Sequence, residues 1–153
     1  MVAVSLDAVL VAVTDETPRT LVVDGHDGRP RLPAGAIDAE DRTLELGMRR
    51  VLRVQTGLEA GYAEQLYTFG DLDRSPGSVD RRVSVAYLLL AKEEPVALPA
   101  RWLDWYALLP WEDHRSGRPE VIDQVVEPVC RRWITELDDP TQRSSRQERA
   151  QVV

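Results

Sequence analysis

The sequence predicts a mixed α/β domain in which helices cover a sheet. Short runs of β-branched and apolar residues alternate with turn signals along most of the chain. Two longer segments instead carry apolar residues at helical spacing. The resulting order is a strand, a hairpin, a helix, several strands and a helix, which is typical of one layered core. With 153 residues, the chain has the length of about one domain.

A β-hairpin is predicted at the start of the chain. Residues 2–13 are rich in Val, Leu and Ala, with Ser5 and Asp7 as interruptions, and their length indicates a buried strand. Residues 20–23 form a second short strand, which the glycine-containing turn at residues 24–28 closes.

A helix is predicted over Leu44–Thr56, because its apolar residues fall on one face of a 3.6-residue period. Asp41 or Thr43 caps its start, and Gly57 ends it in the left-handed conformation. Gly47 costs about 1 kcal/mol relative to Ala inside a helix, so we expect a close packing partner there.

The second half of the chain predicts three further strands and a long helix. The strands are Tyr62–Phe69 and residues 82–91 and 102–108. The helix begins at residues 118–119 and ends near residue 137, and Pro128 should kink it or remove one hydrogen bond. Its predicted apolar stripe consists of Ile122, Val126, Val129, Trp133 and Leu137.

Composition excludes several classes of function. The formal net charge of −7, from 19 basic and 26 acidic residues, lacks the positive field that non-specific DNA binding needs. The single cysteine, Cys130, excludes an internal disulfide and a Cys-x-x-Cys zinc site. No run approaches 18 apolar residues, and the opening apolar run has no basic residue ahead of it. We therefore expect a cytoplasmic protein without a membrane span.

One motif carries a family resemblance. The stretch Leu32-Pro33-Ala34-Gly35, the predicted helix, and Gln55-Thr56-Gly57-Leu58 together resemble a Nudix box, the signature of the Nudix hydrolases. Gly35 matches the opening glycine of that motif, Arg50 its arginine and Leu52 the aliphatic residue between the glutamates. Glu40 or Asp41 stands nearest the first motif glutamate.

A second stretch extends the resemblance. Residues 64–71, Glu-Gln-Leu-Tyr-Thr-Phe-Gly-Asp, and residues 83–88 are similar to a branch that contains ADP-ribose-type pyrophosphatases and Nudix-related transcriptional regulators of NAD metabolism. The resemblance implies a Nudix-like α/β/α sandwich, a mixed sheet flanked by helices, over residues 1–137. The polar, Arg-rich residues 138–153 then stand where the C-terminal winged-helix domain of such a regulator would begin. The resemblance implies that DNA is contacted only through that C-terminal domain, which we expect to lie outside this chain.

The departures from the motif concern its chemistry. Val51, Val54 and Gln55 occupy the three helix positions at which the family has metal-binding glutamates. Mg²⁺ requires hard oxygen ligands, which valine cannot supply and which an uncharged amide replaces poorly. Losing the metal would remove several kcal/mol of transition-state stabilisation. The resemblance thus implies a degenerate box with no catalytic residues, no bound metal and no cofactor.

Ligand contacts are predicted from residue type and position. An arginine fork suits a pyrophosphate even without metal, although Arg50 has an equally plausible structural role as an ion pair with Asp38, Glu40 or Asp41. Loops after strand ends concentrate binding residues. The candidate ligand-binding residues are Arg50, Arg53, Gln55, Phe69, Asp71 and Arg74.

Three functions remain open on these residues. The first is an inactive Nudix-like sensor that binds ADP-ribose or a related nucleotide, as a homodimer, within a transcriptional regulator of NAD metabolism. The second is a Mg²⁺-dependent pyrophosphatase of the ADP-ribose or NADH type that uses carboxylates outside the degenerate positions, namely Glu40, Asp41, Glu45, Glu93 or Glu94. The third is a domain that only dimerises. We rank the sensor first.

Overall fold

A computed structural model describes residues 2–70, 81–97, 99–136 and 140–150 of the chain. The chain divides into two compact units, Met1–Trp105 and Tyr106–Val153. The assignment of residues 1–137 to one Nudix-like domain stays a prediction. None of the helices in the described part of the chain has the length and apolar character needed to span a bilayer.

The first unit contains a mixed sheet of seven strands. Their bounds are β1 Val2–Thr14, β2 Thr17–Asp24, β3 Pro30–Arg31, β4 Ala34–Ala36, β5 Tyr62–Phe69, β6 Arg81–Leu90 and β7 Ala100–Asp104. The main order is β3-β2-β1-β6-β5, with β4 paired to β1 and β7 paired to β2. Strands β1 and β6 are parallel, and the other pairs are antiparallel. The mixed α/β class predicted from the sequence is confirmed.

The predicted hairpin is formed by β1 and β2, which are both longer than expected. Asp15 and Glu16 connect them with φ angles of 49° and 60°. Two successive left-handed residues match the twist of a two-residue hairpin turn. Within the hairpin, the buried Thr20 hydroxyl donates to the Leu10 carbonyl at 3.2 Å.

Helix α1 spans Leu44–Thr56, as predicted. The Thr43 hydroxyl accepts from the Leu46 N–H at 3.1 Å, so Thr43 rather than Asp41 is the N-cap. Gly57 ends the helix with φ of 75°, and its N–H donates to the Arg53 carbonyl. Gly47 has the expected close neighbours, because a Cβ there would lie 2.6 Å from Asp41 Oδ2.

The core lies between one face of the sheet and α1. It contains the fully buried side chains of Leu6, Leu10, Leu21, Met48, Leu52 and Leu89. In the parallel ladder, Leu6 is paired with Val85, whereas Ser5 is paired with Ser84. Because side chains alternate along a strand, Ser5 and Ser84 lie on the face away from this core.

The predicted strand over residues 102–108 is only partly correct. Strand β7 ends at Asp104, and α2 spans Trp105–Leu108. Asp104 is paired with Arg19 of β2, so the next position along β2 is Pro18. Proline has no N–H to donate, which prevents extension of this ladder.

The second unit is helical in its described part. A short 3₁₀ turn covers Pro110–Glu112, a π-helical turn covers Ile122–Val126, and α3 and α4 span Glu127–Thr135 and Pro140–Ala150. The disturbance expected from Pro128 takes the form of the π-helical turn, in which the Glu127 N–H donates to the Ile122 carbonyl.

The predicted apolar stripe of the last helix is therefore broken. A π-helical turn holds more residues than an α-helical turn, so the following side chains rotate off the face that a continuous helix predicts. Val129 is 55% exposed, although Ile122 is buried. Trp133 is half-buried, and the Arg146 guanidinium lies 4.5 Å from its ring centroid. Leu137 lies outside the described residues.

Candidate functional site

Val51, the first of the three positions predicted to have lost a metal ligand, is a packing residue. It is 3% exposed and lies against Gly35 of β4. A Cβ at Gly35 would come within 2.9 Å of Val51 Cγ2, so the absence of a side chain at Gly35 lets α1 approach β4 closely. A carboxylate at this position would point into a contact that has no room for a metal and its ligands.

The other two degenerate positions differ from each other. Gln55 forms two hydrogen bonds with the backbone of Ala34: its Nε2 donates to the carbonyl at 2.8 Å, and its Oε1 accepts from the N–H at 3.2 Å. Val54 is 75% exposed and makes no such contact with β4. Two of the three positions thus hold the box helix on the strand that opens the box.

Arg50 is committed to Asp41. Its Nε and Nη2 donate to the two carboxylate oxygens at 2.9 and 2.7 Å, and Nη2 also donates to the Ala36 carbonyl at 3.1 Å. The Asp41 side chain is 7% exposed and accepts a further bond from the Asp38 N–H at 2.8 Å. The hydrogen bonds from Arg50 and then Asp38 lower the pKa of Asp41 to about 2. Arg50 therefore braces the loop before α1, the structural role that the sequence left open.

Arg49 and Arg53, the neighbouring arginines on α1, differ in how many partners their side chains have. Arg49 donates to Glu45 at 2.9 Å and to the carbonyls of Ala60 and Gly61. Among the described residues, the Arg53 side chain makes only a 3.7 Å ion pair with Glu59, and both side chains are mostly exposed. Together with Arg50 they line a groove of about 250 Å³ on α1. Of these arginines, Arg53 is the one that a ligand could engage at least cost.

Three of the alternative carboxylates are paired with arginines. Asp41 and Glu45 are paired with arginines, and Glu93 lies 3.4 Å from Arg19. Within the described ranges, no group of three or more His, Cys, Asp and Glu side chains is placed to hold a metal ion. The residues present in the box therefore do not fit Mg²⁺, and no hydrolytic step follows from them.

A cavity of about 490 Å³ lies on the face of the sheet away from the core, at β1, β4 and β6. We call it the sheet cavity. Its lining includes Ser5, Asp7, Ala34, Ala36, Arg82 and Ser84. The hydroxyl oxygens of Ser5 and Ser84 lie 2.9 Å apart. The small side chains leave the space open. The polar side chains that line it can form hydrogen bonds with a ligand.

A second cavity of about 490 Å³, the box cavity, lies on the other side of β4. It is lined by residues that include Asp24, His26, Arg31, Ala34, Val54 and Gln55. Ala34 lines both cavities, so the box segment Leu32–Gly35 runs between them. A ligand at the degenerate box would meet one or both of these spaces.

The predicted ligand residues that the structure describes do not line one common cavity. Arg50 and Arg53 line the α1 groove, whereas Gln55 lines the box cavity. Phe69 lies on β5, where its ring packs edge-on against Tyr67 with centroids 4.9 Å apart. Asp71 and Arg74 lie outside the described residues. Whether these side chains contact a ligand stays a prediction.

Sequence reasoning missed the polar floor of the sheet cavity. Ser5 and Asp7 had a visible signal, since they interrupt an otherwise apolar strand at a spacing of two. Ser84 and Arg82 have the same spacing on β6. Only the parallel register, which pairs Ser5 with Ser84, brings the two sets to one cavity.

Comparison with known proteins gives structural neighbours only. No protein-family model and no curated protein matches the sequence. The Nudix domain of Shewanella oneidensis NrtR, in complex with ADP-ribose, is 26% identical, with a TM-score of 0.64 over 84% of this chain and 89% of that chain. Shewanella oneidensis NrtR in complex with a 27mer DNA is also 26% identical, with a TM-score of 0.62 over 84% of this chain.

The matches cover different shares of their relatives. The chain spans 63% of the NrtR chain solved with DNA. A MutT/nudix family protein from Enterococcus faecalis is 25% identical, with a TM-score of 0.60 over 68% of this chain and 44% of that chain. The chain therefore has the fold of the Nudix superfamily, and it resembles the Nudix domain of NrtR.

Proposed function

We propose that this chain is a ligand-sensing domain of Nudix fold that binds ADP-ribose or a related nucleotide and does not hydrolyse it. The proposal depends on the structural roles of the residues at the predicted metal positions. Val51 packs against Gly35 and Gln55 bonds to Ala34, so the helix retains its position while the charged metal ligands are gone. A binding scaffold is kept, and the described residues supply no set of ligands for the Lewis acid that hydrolysis needs.

The ligand class is supported by the fold and by the cavities. The Nudix domain of NrtR was solved with ADP-ribose, and it is similar to most of this chain. Cavities of about 490 Å³ flank the box segment on both sides. That volume lies within the range of roughly 300–1,000 Å³ typical of small-molecule sites.

The proposal extends to regulation. NrtR was also solved with DNA, although this chain spans 63% of its length. The net charge of −7 disfavours direct DNA binding by this chain, so DNA would be contacted through a winged-helix domain outside it. Nucleotide binding would then bias two arrangements of a longer regulator, which requires different affinities for the two.

Calorimetric titration of the chain with ADP-ribose, with and without Mg²⁺, tests this function. We expect saturable binding whose affinity does not depend on Mg²⁺, and chromatography of the recovered nucleotide should show it intact. Binding that requires Mg²⁺, or cleavage of the nucleotide, would contradict the proposal. Absence of binding would contradict it as well.

The edge strand β5 supports dimerisation as a second candidate function. Its outer edge pairs with no described strand, and Tyr62, Leu66 and Tyr67 are each at least half exposed. Long apolar edge strands are normally covered, because they offer unpaired backbone groups to other chains. Antiparallel pairing of two copies about the centre of β5 would place Glu64 opposite Tyr67, so that no like charges face each other.

Light scattering coupled to size exclusion tests this edge. We expect the chain to be a homodimer and the Leu66→Glu variant to be a monomer, because a charge would be buried without a partner. Leu46→Glu is the matched control, since Leu46 is similarly exposed but lies on α1. A monomeric parent chain, or a dimer that Leu66→Glu leaves intact, would contradict this assignment.

A further inference from the structure

The sheet cavity contains a carboxylate, that of Asp7, which the fold itself does not use. Asp7 lies on β1 two residues beyond Ser5, and both flank Leu6, whose side chain is fully buried in the core. Alternation along the strand therefore places Asp7 on the cavity face with Ser5 and Ser84. Elsewhere on this face, toward the end of the ladder, the paired residues are apolar, such as Val9 with Leu88.

The Asp7 side chain is half-buried and has no hydrogen-bond or ion-pair partner among the residues that the structure describes. Two other partly buried aspartates are paired with arginines: Asp41 with Arg50 and Asp24 with Arg101. A carboxylate removed from water without a partner costs free energy, so its presence on a strand face is not explained by stability. Its lone pairs face an open cavity and can accept hydrogen bonds there.

The groups around Asp7 complete a polar set. The Ser5 and Ser84 hydroxyls share one hydrogen bond of 2.9 Å, which leaves further donor and acceptor capacity on the pair. Ser84 is 6% exposed, so its position on the cavity floor is fixed by the sheet. Arg82 lies two residues before it with an exposed side chain at the rim. An arginine at the rim suits a phosphate, whereas the floor suits neutral hydroxyl groups.

We propose that the sheet cavity recognises the vicinal diol of a ribose, with Asp7 as the acceptor of its hydroxyl hydrogens. The Ser5–Ser84 pair contacts the same sugar, and Arg82 faces the attached phosphate. An acidic side chain that accepts from ribose hydroxyls is an established solution in dinucleotide-binding folds, where it also disfavours a phosphorylated ribose. The assignment rests on the proposed nucleotide-sensing function and adds to it the part of the ligand, the ribose diol, that the chain recognises.

The discrimination follows from charge. Asp7 accepts hydrogen bonds from a free diol but repels a phosphate at the same place. ADP-ribose carries two riboses, and either can supply the diol. In ADP-ribose 2′-phosphate, the phosphate blocks the diol of the adenosine ribose. ADP keeps that diol but lacks the terminal ribose. The chain should therefore discriminate between ADP-ribose and one of these two analogues.

Calorimetric titration of the full chain tests the assignment with three probes: ADP-ribose, ADP-ribose 2′-phosphate and ADP. The wild-type chain is expected to bind ADP-ribose at least about tenfold more tightly than one of the two analogues, the size of one charge-assisted hydrogen bond. Asp7→Asn should weaken ADP-ribose binding by about tenfold and abolish that discrimination. Asp15→Asn, which makes the same charge change at the hairpin turn, should alter neither.

The outcomes separate the two levels of the proposal. If wild-type chain binds none of the probes, the nucleotide-sensing function fails, and the diol assignment fails with it. If wild-type binds but Asp7→Asn matches Asp15→Asn, only the diol assignment is overturned. An Asp7→Asn variant that weakens all three probes equally also overturns it, because a purely structural role gives that result. Should Asp7→Asn not fold, Ser84→Ala provides the test, with a reduced discrimination expected and an unchanged one contradicting.

Discussion

The Gln55→Glu substitution probes how the degenerate box holds the helix on the sheet. Gln55 donates to the Ala34 carbonyl at 2.8 Å and accepts from the Ala34 N–H at 3.2 Å. An ionised glutamate still accepts from the Ala34 N–H, but it cannot donate to the Ala34 carbonyl. Its second carboxylate oxygen then faces that carbonyl oxygen, and the two acceptors repel each other. The lost bond costs about 1 kcal/mol, and the two facing acceptors, which water reaches because Ala34 is exposed, add at most about 1 kcal/mol. We expect the free energy of unfolding to fall by about 1–2 kcal/mol at neutral pH.

The same substitution predicts a pH dependence with a definite sign. When protonated, the introduced carboxyl donates its O–H to the Ala34 carbonyl and restores the lost bond. The folded state therefore raises the pKa of this group above the ordinary glutamate value of about 4.3. Above pH 4.3 or so the unfolded chain has released a proton that the folded chain still holds, so stability relative to wild type declines as pH rises through this window.

Urea unfolding followed by circular dichroism, repeated across this pH range, measures the effect. Val54→Glu is the matched control, because Val54 is adjacent on the helix and 75% exposed, and it should change stability by less than about 0.5 kcal/mol. A Gln55→Glu variant that is as stable as wild type at neutral pH, or that does not recover stability in acid, would show that the hydrogen bonds between Gln55 and Ala34 do not hold the helix.

Two further predictions concern the contacts around α1. Gly47→Ala should destabilise the fold by about 1–3 kcal/mol in urea unfolding, because the new Cβ would lie 2.6 Å from Asp41 Oδ2 and 2.8 Å from Leu6 Cδ1. An increase in stability, as Ala's helix propensity alone predicts, would contradict this packing. The ion pair with Arg50 lowers the pKa of Asp41 from 3.8 to about 2, so its stabilising contribution is present above 3.8 and is lost as pH falls toward 2. Asp41→Asn should therefore flatten the acid dependence of stability over that range, and an unchanged acid profile would argue against the pair.

Local signals were sufficient to predict the box helix. The apolar period, Gly57 and a capping residue lie within the segment itself, so the bounds Leu44–Thr56 follow from sequence. The sequence did not decide between Asp41 and Thr43 as the N-cap, because both residue types are favoured at that position. Its carboxylate is instead taken by Arg50, nine residues further along, and sequence spacing does not determine that pairing.

Tertiary effects account for the predictions that were wrong. The strand expected over residues 102–108 stops at Asp104, because its neighbour β2 presents Pro18 at the next position. The helical stripe fails at Val129, because a π-helical turn precedes Pro128. In each case a proline, Pro18 or Pro128, changes the hydrogen bonds of neighbouring residues. A pattern of apolar residues contains no information about that effect.

The candidate site was only partly accessible from the sequence. The expectation that Val51, Val54 and Gln55 stand in place of metal ligands rests on the family resemblance and on residue type, and it stays a prediction. The roles that Val51 and Gln55 take instead depend on β4, a strand of three residues with little signal of its own. The polar floor of the sheet cavity depends on a parallel pairing between strands separated by about half the chain, which no local pattern specifies.

Phosphorus NMR of ADP-ribose, incubated with an equimolar amount of the chain and excess Mg²⁺ or Mn²⁺, tests whether the box binds the nucleotide without metal chemistry. We expect the pyrophosphate resonances to persist, shifted or broadened by binding. If the monophosphate resonances of AMP and ribose 5-phosphate replace them, the chain must form a metal site, which the described residues do not, and the proposed sensing function is wrong.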